Sequence, residues 1–125
     1  METTNTKSKT LAKTLTLNKI DYFNMHLSLV NCLLPVKMSH KEIEILACAL
    51  SFDGILANDR FSTTGKKIIR QTIKPEISHP GLSNYMKSLK QKGFLVEKEG
   101  RLEIIPLLHP NKTQQDYMFR LIAKN

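Results

Sequence analysis

One predicted helix in the second half of the chain carries polar and basic side chains on its outer face, with no acidic residue among them. This face consists of Pro80, Asn84, Lys87 and Gln91, flanked by Ser83, Ser88 and Lys90. Amide and hydroxyl groups can hydrogen-bond to base edges, and ammonium groups can neutralise phosphates. A helix that only faces solvent more often pairs Glu with Lys at helical spacing. The pattern therefore indicates a surface that binds nucleic acid.

Positive charge is concentrated around this helix. The formal net charge of the chain is +8, and the segment from Lys66 to Arg101 holds nine basic residues against three acidic ones. Such a patch favours a polyanionic partner, although a lysine-rich face that only contacts solvent is the alternative. Further candidate phosphate contacts are Lys66, Lys67 and Arg70 on the preceding helix, and Lys98 and Arg101 on a hairpin that follows.

The helix has a clear beginning, buried face and end. Ser78 is a typical N-cap, and apolar residues recur at three- and four-residue steps in Leu82, Tyr85, Met86 and Leu89. Gly93 ends the helix. Two short apolar runs follow, residues 94–98 and 101–106, and the turn Glu99-Gly100 joins them into a predicted β-hairpin.

Four further helices are predicted. Three of them precede the helix just described, and one follows it. The first covers residues 18–34 and is ended by Pro35, and the second covers residues 40–51 and is started by the capping box Ser39-Glu42. The third runs from Ser62 or Thr63 to about residue 73, and the last covers residues 113–124. Residues 55–61 are predicted to be a connection with some extended structure. We therefore expect a mainly α fold of about five helices and a two-stranded hairpin, in one domain over residues 18–125. A flexible basic arm, residues 1–17, precedes it.

The first helix has more apolar surface than one packing face requires. One row is Ile20, Phe23, Leu27, Val30 and Leu34, and a second row is Tyr22, Met25, Leu29 and Leu33. Either a second copy of the chain covers the second row, or the helix lies centrally within the monomer.

Chemistry other than binding finds little support in the sequence. The segment 63–67 resembles the end of a phosphate-binding loop, but Arg60 stands where that loop needs glycine, and Lys67 stands where it needs Ser or Thr. No arrangement typical of catalysis, of a metal site or of a cofactor site is found, so we expect no enzyme. Cys32 and Cys48 are expected to be buried core residues, with a redox pair as the alternative. No apolar run suits a membrane span or a signal peptide, so a cytoplasmic protein is expected.

Two segments together resemble a known family. The sequence ISHPGLSNYMKSLKQKGFLVEKEGRLEIIPLL, residues 77–108, is similar to the recognition helix and wing of winged helix-turn-helix regulators, especially the MarR-type group. MSHKEIEILACAL, residues 38–50, looks like the helix before the helix-turn-helix in that group. The resemblance implies a dimer built from the first and last helices, with a recognition helix in each major groove. It implies DNA contacts by Ser78, His79, Ser83, Asn84, Lys87, Lys98 and Arg101.

Two functions are compatible with these observations. The first is a dimeric protein that binds double-stranded DNA and regulates transcription or replication by occupying a site. The second is a structural or assembly protein of a virus particle or mobile element that uses the same fold to dock on other proteins. The apolar first and last helices, both suited to protein partners, favour the second.

Overall fold

The computed structural model describes residues 9–125, so the first half of the predicted N-terminal arm lies outside the described residues. Residues 9–18 form no helix or strand and are exposed. The helices are α1 (Lys19–Asn31), α2 (His40–Leu50), α3 (Gly54–Asn58), α4 (Thr63–Thr72) and α5 (His79–Gln91). Strands β1 (Leu95–Lys98) and β2 (Arg101–Ile104) form an antiparallel hairpin, followed by a 3₁₀ turn at Pro106–Leu108. The predicted helix-rich fold with a small hairpin is confirmed.

Side-chain caps define where four of the helices begin. Asn18, Ser39, Ser62 and Ser78 each accept a hydrogen bond from a backbone N–H in the first turn of α1, α2, α4 and α5, respectively. At α2 the capping box is complete, because Glu42 also accepts from the backbone N–H of Ser39. These groups would otherwise lack partners at a helix end. The predicted starts of α2, α4 and α5 are confirmed.

Helix α2 lies at the centre of the core. Ile45, Leu46, Ala47 and Ala49 are completely buried, which shows that neighbours cover more than one face of this helix. Around it lie the buried side chains of Leu27 from α1, Ile69 from α4, Leu82 and Leu89 from α5, and Leu95 and Leu108 from the hairpin region. Removal of this apolar surface from water is the main force that holds α5 and the hairpin to the other helices.

A two-residue turn, Glu99-Gly100, joins β1 to β2, and it is the shortest common connection between two strands. Lys98 pairs with Arg101, and both Glu99 and Gly100 have positive φ angles, of 53° and 79°. Positive φ at both central residues is the requirement of a type I′ turn, whose twist matches that of the strands. The predicted hairpin and its turn are confirmed.

The structure corrects four expectations. Residues 113–125 form no helix, although their apolar residues have helical spacing, because a short isolated helix is marginal without a surface to pack on. The connection after Asp53 contains the short helix α3 instead of extended structure. Helix α1 ends at Asn31, before Pro35. Cys48 is buried as expected, but Cys32 is exposed beyond the end of α1.

The C-terminal segment runs back along α1. Tyr22 donates from its hydroxyl to the carbonyl of Asn111 at 2.6 Å. His26, which is buried, lies 2.5 Å from the hydroxyl of Tyr117 through Nδ1 and 3.0 Å from the Leu108 carbonyl through Nε2. A carbonyl can only accept, so Nε2 carries the proton and Nδ1 accepts from Tyr117.

The second apolar row of the first predicted helix is covered in part. Tyr22 and Leu29 are half-buried, whereas Met25 is 40% exposed and Leu33 is 71% exposed, so the monomer does not bury the whole row. The longest helices of residues 9–125, α1 and α5, have 13 residues each, and none of the described helices is long and apolar enough to cross a membrane.

Candidate nucleic-acid interface

Helix α5 presents its polar face to solvent because its other face is anchored in the core. Leu82, Met86 and Leu89 are buried, which fixes the rotation of the helix about its axis. The helix begins at the Ser78 cap, where the Ser78 hydroxyl accepts from the N–H of Gly81 at 3.1 Å. This bond uses one lone pair of the hydroxyl oxygen, so Ser78 can still donate its hydroxyl hydrogen to a ligand or accept through its second lone pair.

The exposed face of α5 contains five of the eleven contact residues predicted from the sequence. His79, Ser83, Asn84, Lys87 and Lys90 are all exposed, as is Gln91. The predicted outer face of this helix therefore does face solvent, except that the flanking Ser88 is half-buried. Lys90 has one acidic neighbour, since its ammonium lies 4.0 Å from the carboxylate of Glu97 on β1. An exposed pair at this distance contributes little to stability and leaves Lys90 available to a stronger anion.

Helix α4 adds positive charge beside α5, but its three basic residues differ in exposure. Lys67 is exposed, whereas Lys66 and Arg70 are half-buried. The Nε atom of Arg70 is buried and has no hydrogen-bond partner within the described part of the chain. In the motif that resembles a phosphate-binding loop, the glycine has a packing role. Gly65 is buried and lies directly against the backbone carbonyl of Arg60.

A groove runs between α5 and the inner face of the hairpin, and we call it the α5–hairpin groove. Its volume is about 500 Å³. Four of the predicted residues line it, namely Lys66, Ser83, Lys87 and Lys90. Met86 and Leu102 provide apolar walls, and Gln91 completes the lining. The fold thus brings cations of α4 and α5 together around one concave surface.

The hairpin cations do not join this groove. Side chains alternate between the two faces of a strand, so Lys98 and Arg101 leave the hairpin on the face opposite to Glu97 and Leu102. Arg101 also donates to the carbonyl of Asn58 at the end of α3, at 2.8 Å. The predicted hairpin contacts and the predicted α5 contacts therefore form two separate basic surfaces.

Three residues that the sequence interpretation did not connect with the site hold it in place. Lys92, just after α5, donates to the buried carboxylate of Glu42 at 2.7 Å. Burial alone would raise the pKa of Glu42, but the hydrogen bonds from Lys92 and from the Ser39 backbone lower it below the ordinary value. Arg60 donates to the carbonyl of Ala49 at 2.6 Å and so caps the end of α2. None of these long-range pairs leaves a signal in sequence spacing.

Arg60 also keeps its charge in a half-buried position. Burial lowers the pKa of its guanidinium, and the nearby carboxylate of Asp53 opposes that effect. An arginine remains protonated even with such a shift. Its charge faces the negative end of the α2 dipole, where a cation is stabilising.

The described residues hold no metal-binding constellation that would compete with a binding role for this surface. No group of three His, Cys, Asp or Glu residues among them is placed to hold a metal ion. Comparisons with protein-family models, with curated proteins and with solved structures find no match for this chain. The site is therefore interpreted from its own geometry.

Proposed function

We propose that this protein binds double-stranded DNA, with α5 in the major groove and the basic residues of α4 against the phosphate backbone. The order α4, turn, α5, hairpin is the layout of a winged helix-turn-helix. The 13 residues of α5 give a helix about 20 Å long, and a B-DNA major groove about 12 Å wide admits a helix.

The observation that carries the proposal is the composition of the exposed face of α5. Over the whole helix there is no acidic residue, and its exposed positions hold two lysines, a histidine, an asparagine, a glutamine, a serine and a proline. A phosphate backbone repels a face with carboxylates, so a surface that binds DNA benefits from their absence. The apolar residues Leu82, Met86 and Leu89 lie on the opposite side of the helix and pack in the core.

Different residues have different roles in this proposal. Asn84 and Ser83 contact base edges, because amides and hydroxyls both donate and accept hydrogen bonds. Lys66, Lys67, Arg70, Lys87 and Lys90 neutralise phosphates. His79 and Ser78 contact the backbone at the start of α5, and Lys98 and Arg101 contact a phosphate reached by the outer face of the hairpin.

The functional unit in this proposal is a homodimer inside the cell, acting on transcription or replication by occupying its site. Two apolar surfaces support self-association. Met25 on α1 and Leu33 just after this helix are exposed, and the C-terminal segment, residues 113–125, exposes Met118, Leu121 and Ile122 by 81% or more. Large exposed apolar patches mark interaction sites, and a two-fold axis would cover both patches in each copy.

The second candidate function is assembly of a virus particle or mobile element, and the same C-terminal segment favours it. Exposed apolar residues with helical spacing could fold on a different protein as well as on a second copy. In that case α5 would face a protein instead of DNA.

Binding to duplex DNA of random sequence across a salt series distinguishes the two functions, with the mass of the free protein measured by light scattering. We expect a dimer whose logarithmic affinity falls linearly with the logarithm of salt concentration, since lysines release counterions when they bind phosphates. A protein that forms large assemblies and has no affinity for DNA at low salt would contradict the proposal and favour the assembly role.

A further inference from the structure

The α5–hairpin groove has a chemical feature that duplex binding does not use. Lys66, Lys87 and Lys90 stand around it, but Met86 and Leu102 form an aliphatic surface between them. Phosphates and base edges are recognised by charge and hydrogen bonds. An apolar wall between cations suits a ligand that is itself apolar in the middle and anionic at its edges.

The lining of this groove does not suit an unpaired base. Of the seven described residues that line it, none is aromatic, so an unpaired base would find no stacking surface. Its lysines are flexible point charges that pair with carboxylates as well as with phosphates. Because Met86 and Leu102 add an apolar wall, an anionic protein segment with an apolar side chain fits this lining better than a nucleotide does.

The chain's own C-terminal segment is not the occupant. Residues 112–125 contain Lys112, Arg120 and Lys124 against a single acid, Asp116, so the lysines of the groove would repel them. The same segment is held on α1 through Tyr117 and His26. Within the groove region, the carboxylate of Glu97 already lies 4.0 Å from Lys90, which shows that a carboxylate can reach this edge.

We infer that the α5–hairpin groove binds an acidic peptide segment of a partner protein. A leucine, isoleucine or phenylalanine of that segment packs against Met86 and Leu102, and acidic residues on either side of it pair with Lys66, Lys87 and Lys90. Because the proposed DNA surface uses the same lysines, the peptide and DNA exclude each other. The partner would thus displace the protein from DNA.

Two peptides test this inference on the intact protein. One is a short fluorescein-labelled peptide with a single leucine flanked by glutamates, and the other has glycine in place of the leucine. Fluorescence polarisation gives both affinities. We expect the leucine peptide to bind about tenfold to a hundredfold more tightly, as burial of one such side chain predicts. Equal affinities for the two peptides would mean that only the charge of the lysines attracts them, and this result would overturn the inference.

A pair of leucine variants locates the binding surface. Leu102→Asn should remove the preference for the leucine peptide, whereas Leu107→Asn should keep it, since Leu107 is 65% exposed and lies outside the groove. If Leu102→Asn fails to fold, NMR spectra of the methyl groups of the wild-type protein take the place of that variant. Addition of the leucine peptide should then shift the Met86 and Leu102 methyl signals, and shifts confined to α1 or to residues 113–125 would overturn the inference.

Competition with DNA separates this inference from the proposed function. Unlabelled duplex DNA should displace the leucine peptide at concentrations that match its own affinity. Displacement would support a shared surface, and simultaneous binding of DNA and peptide would contradict it. If the protein binds the leucine peptide selectively but has no affinity for DNA, the proposed function fails and the peptide site stands.

Discussion

Lys92 donates to Glu42 at 2.7 Å and so joins the end of α5 to the first turn of α2. Glu42 is only 2% exposed, and the side chain of Lys92 is 27% exposed. The same carboxylate oxygen accepts from the backbone of Ser39 at 2.7 Å. One carboxylate therefore completes a helix cap and holds the helix that presents the candidate interface.

Glu42→Gln should destabilise the fold. The variant leaves the ammonium of Lys92 without its counter-charge in a largely buried place, and we expect a loss of about 2–3 kcal/mol in the free energy of unfolding. Urea titration followed by circular dichroism measures it. Glu76→Gln is the matched control, because Glu76 lies 3.8 Å from Lys74 in an exposed pair. That control should change stability little.

The Glu42 pair should also make stability depend on pH in the acid range. The pKa of Glu42 is lower in the folded protein than its ordinary value of 4.5. Its contribution is therefore fully present above that value and is lost as pH falls through the lower, folded pKa. Unfolding free energies of wild type and Glu42→Gln should approach each other below pH 4.5. A constant difference down to acid pH would contradict this role.

Gly65→Ala should be destabilising although alanine favours helices. A Cβ atom at this position would lie 2.0 Å from the carbonyl oxygen of Arg60, so α4 or the preceding turn must move. We expect a loss of about 1–3 kcal/mol, as for other overpacked sites, in the same urea titration. Thr64→Ala changes an exposed neighbour on the same helix and should have a small effect. A Gly65→Ala variant as stable as wild type would show that the packing adapts.

Docking of the C-terminal segment on α1 should weaken in mild acid. Burial lowers the pKa of His26 below 6.5, against the opposing effect of its bond to the Leu108 carbonyl. Neutral His26 is thus favoured in the docked state, whose stability is complete above pH 6.5 and falls as pH decreases from there. Amide signals of residues 109–119 should move toward random-coil positions between neutral pH and about pH 5.

His26→Gln tests whether His26 causes that change. The pH dependence of these amide signals should disappear in this variant, whereas His40→Gln, at an exposed position on α2, should retain it. Tyr117→Phe should weaken docking by about 1 kcal/mol at neutral pH, since Nδ1 of His26 loses its donor. A pH response that persists in His26→Gln would assign the titration to another group.

Asn84 and Lys87 should have separable effects on DNA binding. If Lys87 contacts phosphate, Lys87→Ala should weaken binding to all duplexes and reduce the salt slope by about one unit. If Asn84 contacts a base edge, Asn84→Ala should reduce the preference for a selected site over random DNA by about 1–3 kcal/mol and leave the slope unchanged. The measurement compares both variants on a selected site and on random duplex. Equal effects on both DNAs would reject the assigned roles.

Local signals allowed much of the fold to be predicted from the sequence. The capping box at Ser39 and the caps at Ser62 and Ser78 gave correct helix starts. The Glu99-Gly100 turn gave the correct hairpin. The buried positions Leu82, Met86 and Leu89 followed from helical spacing, and so did the exposure of the opposite face. These features depend on neighbours within a few residues in the chain.

What could not be predicted depends on contacts between distant segments. The spacing of residues 113–124 is helical, but Met118, Leu121 and Ile122 remain 81% or more exposed, so propensity alone did not give a helix. Alternation along β2 predicts two faces, yet only the packing of Leu95 and Ile104 decides which face meets α5. The separation of Arg101 from the α5 lysines is a consequence of that choice.

The most direct test of DNA binding by the α5 surface compares two triple variants with the same net charge. One is Lys66→Gln, Lys87→Gln and Lys90→Gln, and the control is Lys37→Gln, Lys112→Gln and Lys124→Gln. Affinity for random duplex DNA is measured for each across a salt series. The account predicts that the first variant reduces the salt slope by roughly 2.7, at about 0.9 per phosphate contact, and that the control keeps the wild-type slope. Equal slopes for the two variants would contradict it.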